Sequence, residues 1–477
     1  MSNVVLKKIE TDFKNCPDLV KKQIKLGNSK VVYVLFLETV SSSDKVSNYI
    51  LNTLSRISTT PIHKKVDKLF DFLPSPNTVE LKDKDEIEFY LTNGFAIVIT
   101  DFSNEIIAIE TKADLDRGIN TPETQQGVFG PKDAFIENYQ KNIGLIKRRI
   151  KSKSLVTEET NIGKRSNTKV GLLYINDIAD IAQVNKIKKK LSKINTDGII
   201  DSSYINQFIT GENINPLPTC FASERPDRVC NALLEGKIAI VVDGSSFVLL
   251  LPAFLIDFIN PVVDNYNKSI NINFVKILRF FCFLLTILTP AFYIAITNYN
   301  PETIPTNLLI NFSAQRDGIP FPAIVECLIT LFTIELLKES DLRFPSSYGS
   351  AVSILGALVL GEAAIGAGLV TPIMIIVAAL TFITSLLFND QELVNATRFY
   401  RILYLFFATL LGLYGIIIAS MFFVANLAST KTLDKPYTYP LAPFDSVYFN
   451  KTLLKKNRSK DRFRSKLLVK KDRTKQG

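Results

Sequence analysis

Gly349–Val370 reads GSAVSILGALVLGEAAIGAGLV, a stretch long enough and apolar enough to cross a bilayer. It carries one ionisable residue, Glu362. Gly349, Ser353, Ala357 and Gly361 recur every four residues, so on a helix they form one smooth stripe that lets a second helix approach closely. Lipid cannot solvate a carboxylate, so Glu362 must face other helices or a water-filled cavity. Two readings follow. Glu362 is either protonated or hydrogen-bonded inside one subunit, or it lines a pore shared by several.

Outward from that stretch, the chain divides by charge. Its 477 residues include 21% charged side chains and a net charge of +10, with a mean hydropathy of +0.17. The charges concentrate before about Lys276 and after about Asp434, which fits a soluble part joined to a membrane part. The basic excess is heaviest beyond the last apolar run, from Lys451 to Lys475. That position suits a membrane surface better than nucleic acid. The five cysteines are scattered without a C-x-x-C pair, and His63 is the only histidine, which argues against a zinc site or a Ser-His-Asp triad. No cofactor is expected. The opening MSNVVLKKIETDFKNC has no apolar core of a signal peptide, so the N-terminal part is expected in the cytosol with reduced thiols.

The soluble half alternates strand-like and helix-like segments. Lys30–Val40, Phe95–Asp101 and Glu105–Thr111 read as strands, with helical patterns between them. A second unit repeats the alternation, with strands at Val170–Asn176 and Lys237–Val242 around a Lys-rich helix at Asp180–Ile194. Lys132–Ile150 reads as an amphipathic helix whose last turn, Lys147, Arg148 and Arg149, is expected to be solvated. The fold expected is an α/β cytosolic domain of two α/β subdomains. An all-α polytopic membrane domain with about four spans plus amphipathic or re-entrant helices should follow. The expected boundaries are 1–150, 151–244, 245–430 and a basic cytosolic tail at 431–477.

Within the membrane half, Phe274–Thr297 is a span, and Phe247–Ile259 reads as an interfacial or half-buried segment, with a soluble core strand plus loop as the alternative. Phe321–Lys338 carries Glu326 and Glu335 and reads as an amphipathic or re-entrant helix. Gly349–Val370 and Ile373–Phe388 follow as spans, and Ile402–Leu427, the longest uncharged run, is expected as the fourth span. An even number of crossings puts both charged ends in the cytosol, but it leaves Arg398 and Arg401 outside, against the charge rule.

Several long motifs resemble the A-subunit family of GerA-type spore germinant receptors. They are RGINTPETQQGVFGPKDAFIENYQKNIGLIKRRI from Arg117, NTDGIIDSSYINQFI, ERPDRVCNALLEGKIAIVVDGSSFVLLLPAF, PAFYIAITNYNPETIPTNLL, RDGIPFPAIVECLI, LGALVLGEAAIGAGLVTPIMIIVAALT and PYTYPLAPFD. Arg117, Pro122, Glu123 and Gly130 mark the first motif's loop. The chain departs from the family pattern at Val263–Tyr266, where an acidic-Asp-Tyr-Tyr box is usual. It departs again at Glu362, where an amide is more frequent.

The resemblance implies a nutrient germinant receptor in the spore inner membrane, with a transporter-like B subunit and a lipoprotein C subunit as partners. It also implies an oligomer, with a pentamer as the expected state, that releases monovalent cations and triggers germination. On that reading a ring of Glu362 concentrates cations, as acidic rings do in channels, and Val359 and Ile365 flank it as an apolar gate. The contrasting reading is a membrane-anchored signalling or scaffold subunit that transmits germinant binding without conducting. A secondary transporter would want internal membrane repeats, and none is visible. No phosphate-binding loop of the G-x-x-x-x-G-K-[ST] type supports an enzyme that pumps.

Overall fold

The computed structural model describes the chain apart from residues 1, 27–29, 60–68, 71–72, 74–76, 82–85, 103–104, 114–121, 123, 126, 128, 212–214, 344–358, 389, 453, 456–462, 471 and 476–477. Its soluble half holds two five-stranded sheets. The first contains β1 (Leu19–Leu26), β2 (Lys30–Leu37), β3 (Thr78–Glu80), β4 (Phe95–Thr100) and β5 (Ile106–Glu110), in the order β1-β2-β4-β5-β3. The second contains β6 (Leu155–Ile162), β7 (Thr168–Ile175), β8 (Phe221–Ser223), β9 (Ile238–Val242) and β10 (Val248–Leu251), in the order β6-β7-β9-β10-β8. The two orders are the same, and each sheet opens on a hairpin, Leu19 facing Leu37 and Leu155 facing Ile175. Every described pairing is antiparallel.

Strand alternation sets the layers. Val32, Val34 and Phe36 bury one face of the first sheet with Ile50, Leu54 and Ile57, while Leu35 and Leu37 bury the other with Val5, Ile9, Ile87 and Leu91. Val170, Leu172 and Tyr174 face Val184, Ile187 and Ile205 in the second unit. Its opposite face carries Leu173, Ile175, Val241 and Leu250. Both sheets are therefore covered by helices on two sides, the layering expected of an α/β domain.

That last face does not close within the soluble domain. Its core runs on through Phe254 and Phe258 into Phe283, Ile287, Tyr400 and Phe423 of the membrane helices. β10 lies inside Phe247–Ile259, the segment expected at the membrane interface, and its four residues are all buried. The correction has a simple cause: an apolar run bordering a membrane region looks the same whether it inserts or completes a sheet.

Ser269–Tyr299 is the one described helix long and apolar enough to cross a membrane by itself. It spans 31 residues, roughly 46 Å at 1.5 Å per residue. The apolar helices Pro372–Ser385 and Leu413–Ser429 are shorter. The run Ile402–Leu427 is not one straight helix. Gln391–Leu411 ends at Gly412, whose φ of 60° and ψ of −133° reverse the chain into Leu413–Ser429. Tyr400 then packs on Phe423 with ring centroids 4.7 Å apart, and the Tyr404 hydroxyl lies 3.0 Å from Ser420 Oγ. The far tip of this hairpin is closed by Tyr299, whose ring covers Gly412 and whose hydroxyl donates to the Thr409 carbonyl.

Both feet of the hairpin stand on the soluble domain. Asn206 donates to Glu392 at 3.2 Å, and Asn215 donates to Thr430. Arg398 and Arg401 therefore lie toward the soluble-domain end, not beyond the far side. There they ion-pair with Glu335 at 2.8 and 2.9 Å. Glu326 accepts from the backbone and hydroxyl of Thr371. Neither Glu326 nor Glu335 of the helix Ala323–Arg343 depends on lipid for a partner.

Candidate functional site at the domain–membrane junction

The motif Glu224-Arg225-Pro226-Asp227 starts the helix Pro226–Leu234. Proline suits a first helical position, and the acid in the first turn suits the helix dipole. Arg225 is 2% exposed, and each of its three guanidinium nitrogens donates a hydrogen bond. Nε and Nη2 donate to the two Asp227 oxygens at 3.0 and 2.9 Å, Nη2 also to the Pro131 carbonyl at 3.0 Å, and Nη1 to the Gln125 carbonyl at 3.1 Å. Glu224 holds the same loop from its other end, accepting from Thr124 N and Oγ1 at 2.8 Å and from Gln125 N at 2.6 Å. The loop is thus wound around two charged side chains.

Its outer surface meets the chain entering the membrane. A Cβ on Gly127 would sit 2.5 Å from Val263, and one on Gly130 would sit 2.6 Å from the Tyr266 ring. Gly130 also has φ of +101°, where only glycine is comfortable. The Tyr266 hydroxyl donates to Asp227 Oδ2 at 2.7 Å. Two residues before Tyr266, Asp264 accepts both guanidinium nitrogens of Arg279, at 2.6 and 3.2 Å. Lys455 clamps the same turn by donating to the carbonyls of Asp264, Asn265 and Asn267. A relay therefore joins Gln125 through Arg225 and Asp227 to Tyr266, and the turn of backbone between Tyr266 and Asp264 carries it on to Arg279 in the long helix.

The electrostatics favour the charged state of this relay. Burial pushes the Asp227 carboxyl up, but hydrogen bonds from Arg225 and Tyr266 outweigh it and hold the group below its ordinary value of 3.8. Burial pulls the Arg225 guanidinium down, and its bonded partner Asp227 more than restores it.

Of the loop residues marked in the sequence, Pro122 is buried and Gly130 stands at the junction, while Arg117 and Glu123 lie outside the described residues. In the sequence Arg225 and Asp227 stand inside a longer motif and Tyr266 in the box that departs from the family pattern, and nothing local marks residues 39 positions apart as bonded. The basic helix end also changes its reading. Lys147 is buried against Asp18 at 2.5 Å, bridging the two sheet units, and Arg149 pairs with Asp133. Only Arg148 of the three is left with substantial exposure.

The pore candidates lie elsewhere. Val359, Glu362 and Ile365 are exposed on the described helical residues 359–366, and a Cβ on Gly361 would lie 3.9 Å from Ile375. Gly349, Ser353 and Ala357 lie outside the described residues.

The profile of the family described as "Bacillus/Clostridium GerA spore germination protein" matches residues 7–467. The chain belongs to the GerA family. "Spore germination protein KA" of Bacillus subtilis (strain 168) is 34% identical over 463 residues, covering 96% of this chain and 85% of that protein. "Spore germination protein GerLA" of Bacillus cereus is 32% identical over 442 residues, covering 92% and 90%. The crystal structure of the N-terminal domain of the A subunit of the Bacillus megaterium spore germinant receptor GerK3 covers 53% of this chain and 95% of its own, at 28% identity and a TM-score of 0.40. In this GerA-family chain the arginine relay lies where the soluble domain hands over to the first membrane helix. Its polar groups are turned on one another.

Proposed function

We propose that the chain is the A subunit of a nutrient germinant receptor in the spore inner membrane, working with transporter-like B and lipoprotein C subunits. Several copies surround a ligand-gated cation path, and opening it triggers germination. The observation that carries this reading is Glu362. Among the described residues its carboxylate has no ion pair or hydrogen bond, and it is exposed beside exposed Val359 and Ile365. A lone carboxylate on an apolar helix is costly against lipid, so an aqueous passage or another copy must receive it. A closed ring of copies supplies both.

The junction supports a gating role for the soluble domain. Its second sheet shares one core with the membrane helices, and the Arg225 relay ties its loop to the helix Ser269–Tyr299. A shift in that domain, driven by germinant capture in a partner subunit, moves packed helices rather than a slack linker. Both feet of the Gly412 hairpin and the start of the long helix lie beside the soluble domain. This supports an even number of passes with both chain ends in the cytosol.

The test is ion release. In vesicles holding the purified complex, Glu362→Gln lowers germinant-triggered cation flux or its selectivity while the protein stays membrane-bound, and Val359→Ala leaks without germinant. Normal flux and selectivity in Glu362→Gln remove this carboxylate from the path and leave the non-conducting signalling role.

A further inference from the structure

A cavity of ≈ 120 Å³ lies between the second sheet unit, the start of the long helix and residues 448–452. Its charged lining is unevenly matched. Asp264 is taken by Arg279, Asp257 by Lys237, and Glu235 by Lys451 and Lys475. Two lining cations remain without a carboxylate in contact. Lys276 is 3% exposed, and the Thr452 carbonyl at 2.7 Å is its one acceptor among the described residues. The Arg228 side chain donates only to the Asp257 carbonyl and stacks 3.7 Å over the Phe221 ring. Desolvation pulls its guanidinium down to about 10. The nearest carboxylates, Asp264 for Lys276 and Asp257, Asp390 and Asp227 for Arg228, act only from beyond contact distance and leave burial the larger effect on both cations.

The same lining also has acceptors without donors. Glu235 Oε2 and Asn260 Oδ1 are buried and accept no hydrogen bond among the described residues. The cavity therefore lacks two things at once: anionic oxygens for Lys276 and Arg228, and hydroxyl donors for Glu235 and Asn260. Lys276 stands on the long helix between the exposed apolar residues Ile270, Phe274, Ile277 and Phe281, so the cavity lies beside that helix's apolar outer face.

We propose that this cavity binds a hydroxylated phosphate ester, its phosphate oxygens meeting Lys276 and Arg228 and its hydroxyls meeting Glu235 and Asn260. Two sources share that chemistry: the headgroup of phosphatidylglycerol, and free glycerol phosphate. The site is independent of whether Glu362 conducts.

Thermal unfolding of the full chain tests it, in detergent with sodium glycerol 1-phosphate against sodium chloride at equal ionic strength, and in nanodiscs of phosphatidylglycerol, phosphatidylserine or phosphatidylcholine. Glycerol phosphate or phosphatidylglycerol raises Tm by at least about 2 °C. A response to the free ester alone assigns a soluble ligand, and a response to the lipid alone assigns a headgroup. Lys276→Met abolishes the response and, with no ligand present, is at least as stable as the wild type because an unmatched buried charge has gone. Arg228→Gln gives a second variant should Lys276→Met fail to fold. An unchanged response in a folded variant, or no response of the wild type to either probe, overturns the proposal. An equal response to phosphatidylserine overturns the hydroxyl half of it.

Discussion

Replacing Arg225 by alanine tests the junction most directly. The side chain is buried, and its loss strands three groups at once: the Asp227 carboxylate and the carbonyls of Gln125 and Pro131. Breaking a buried ion pair from one side costs about 3–5 kcal/mol, and each orphaned buried carbonyl adds about 1–3 kcal/mol if it stays dry. Asp227 keeps two donors, the Tyr266 hydroxyl and the Arg228 amide, and the loop can relax toward water, so the lower end, about 5 kcal/mol in total, is expected. Arg225→Lys recovers little, because an ammonium cannot span both Asp227 oxygens and two carbonyls in one plane. The assay is a double-mutant cycle on the full chain, with denaturant unfolding and protease cleavage near residues 122–131 as readouts. Arg225→Ala and Asp227→Ala are each strongly destabilising, while the double variant loses at least about 1.5 kcal/mol less than their sum. Additive losses, or an Arg225→Ala cost below about 1 kcal/mol, would falsify the relay.

Three further outcomes follow from the same structure. Because Asp227 is held below its ordinary value in the fold, its contribution is present above pH 4 or so and is lost as pH falls through the depressed value. Loop protection should stay flat from neutral pH to about 5 and drop below about 4; Asp227→Asn, already weakened, should show a smaller drop at the same pH. Gly412→Val places a side chain within 3 Å of the Tyr299 ring at a backbone geometry that favours glycine, and should cost at least about 1–3 kcal/mol. Thermal melting that does not change would mean the hairpin tip tolerates a side chain and the turn is misread. Val469 is fully buried beside Gly236, where a Cβ would come within 2.8 Å of it. Val469→Asp should expose residues 463–475 to trypsin, and a tail still protected would argue against its docking there.

The central strands were legible because KVVYVLFL, FAIVIT, VGLLYI and IAIVV are buried β-branched runs. The outer strands were not. β1 reads LVKKQIKL and β6 reads LVTEETNI, with charges along exposed edges, as sheets use to discourage further pairing. Strand-and-helix alternation indicated the class but not the direction of pairing, which depends on which segments meet. The Gly412 reversal stayed hidden because a turn inside an apolar region needs no polar residue. Lys147 looked like its two basic neighbours, since its partner Asp18 is 129 positions away. At the candidate site, the glycines of the loop marked a close approach, but only the fold shows what approaches: Val263 and Tyr266.

Leu468 and Val469 fill the same core as Ile146, Leu173 and Val241, although residues 252–467, 216 in all, separate the last strand of that sheet from them. The second sheet unit therefore cannot finish assembling when its own strands have been synthesised. It must wait, with one side of its interior open, until the intervening helices have entered the bilayer and the following residues have returned to seal it. Biogenesis of this subunit thus carries a built-in order, and a chain stalled during insertion would display an unfinished surface that quality-control proteases can recognise.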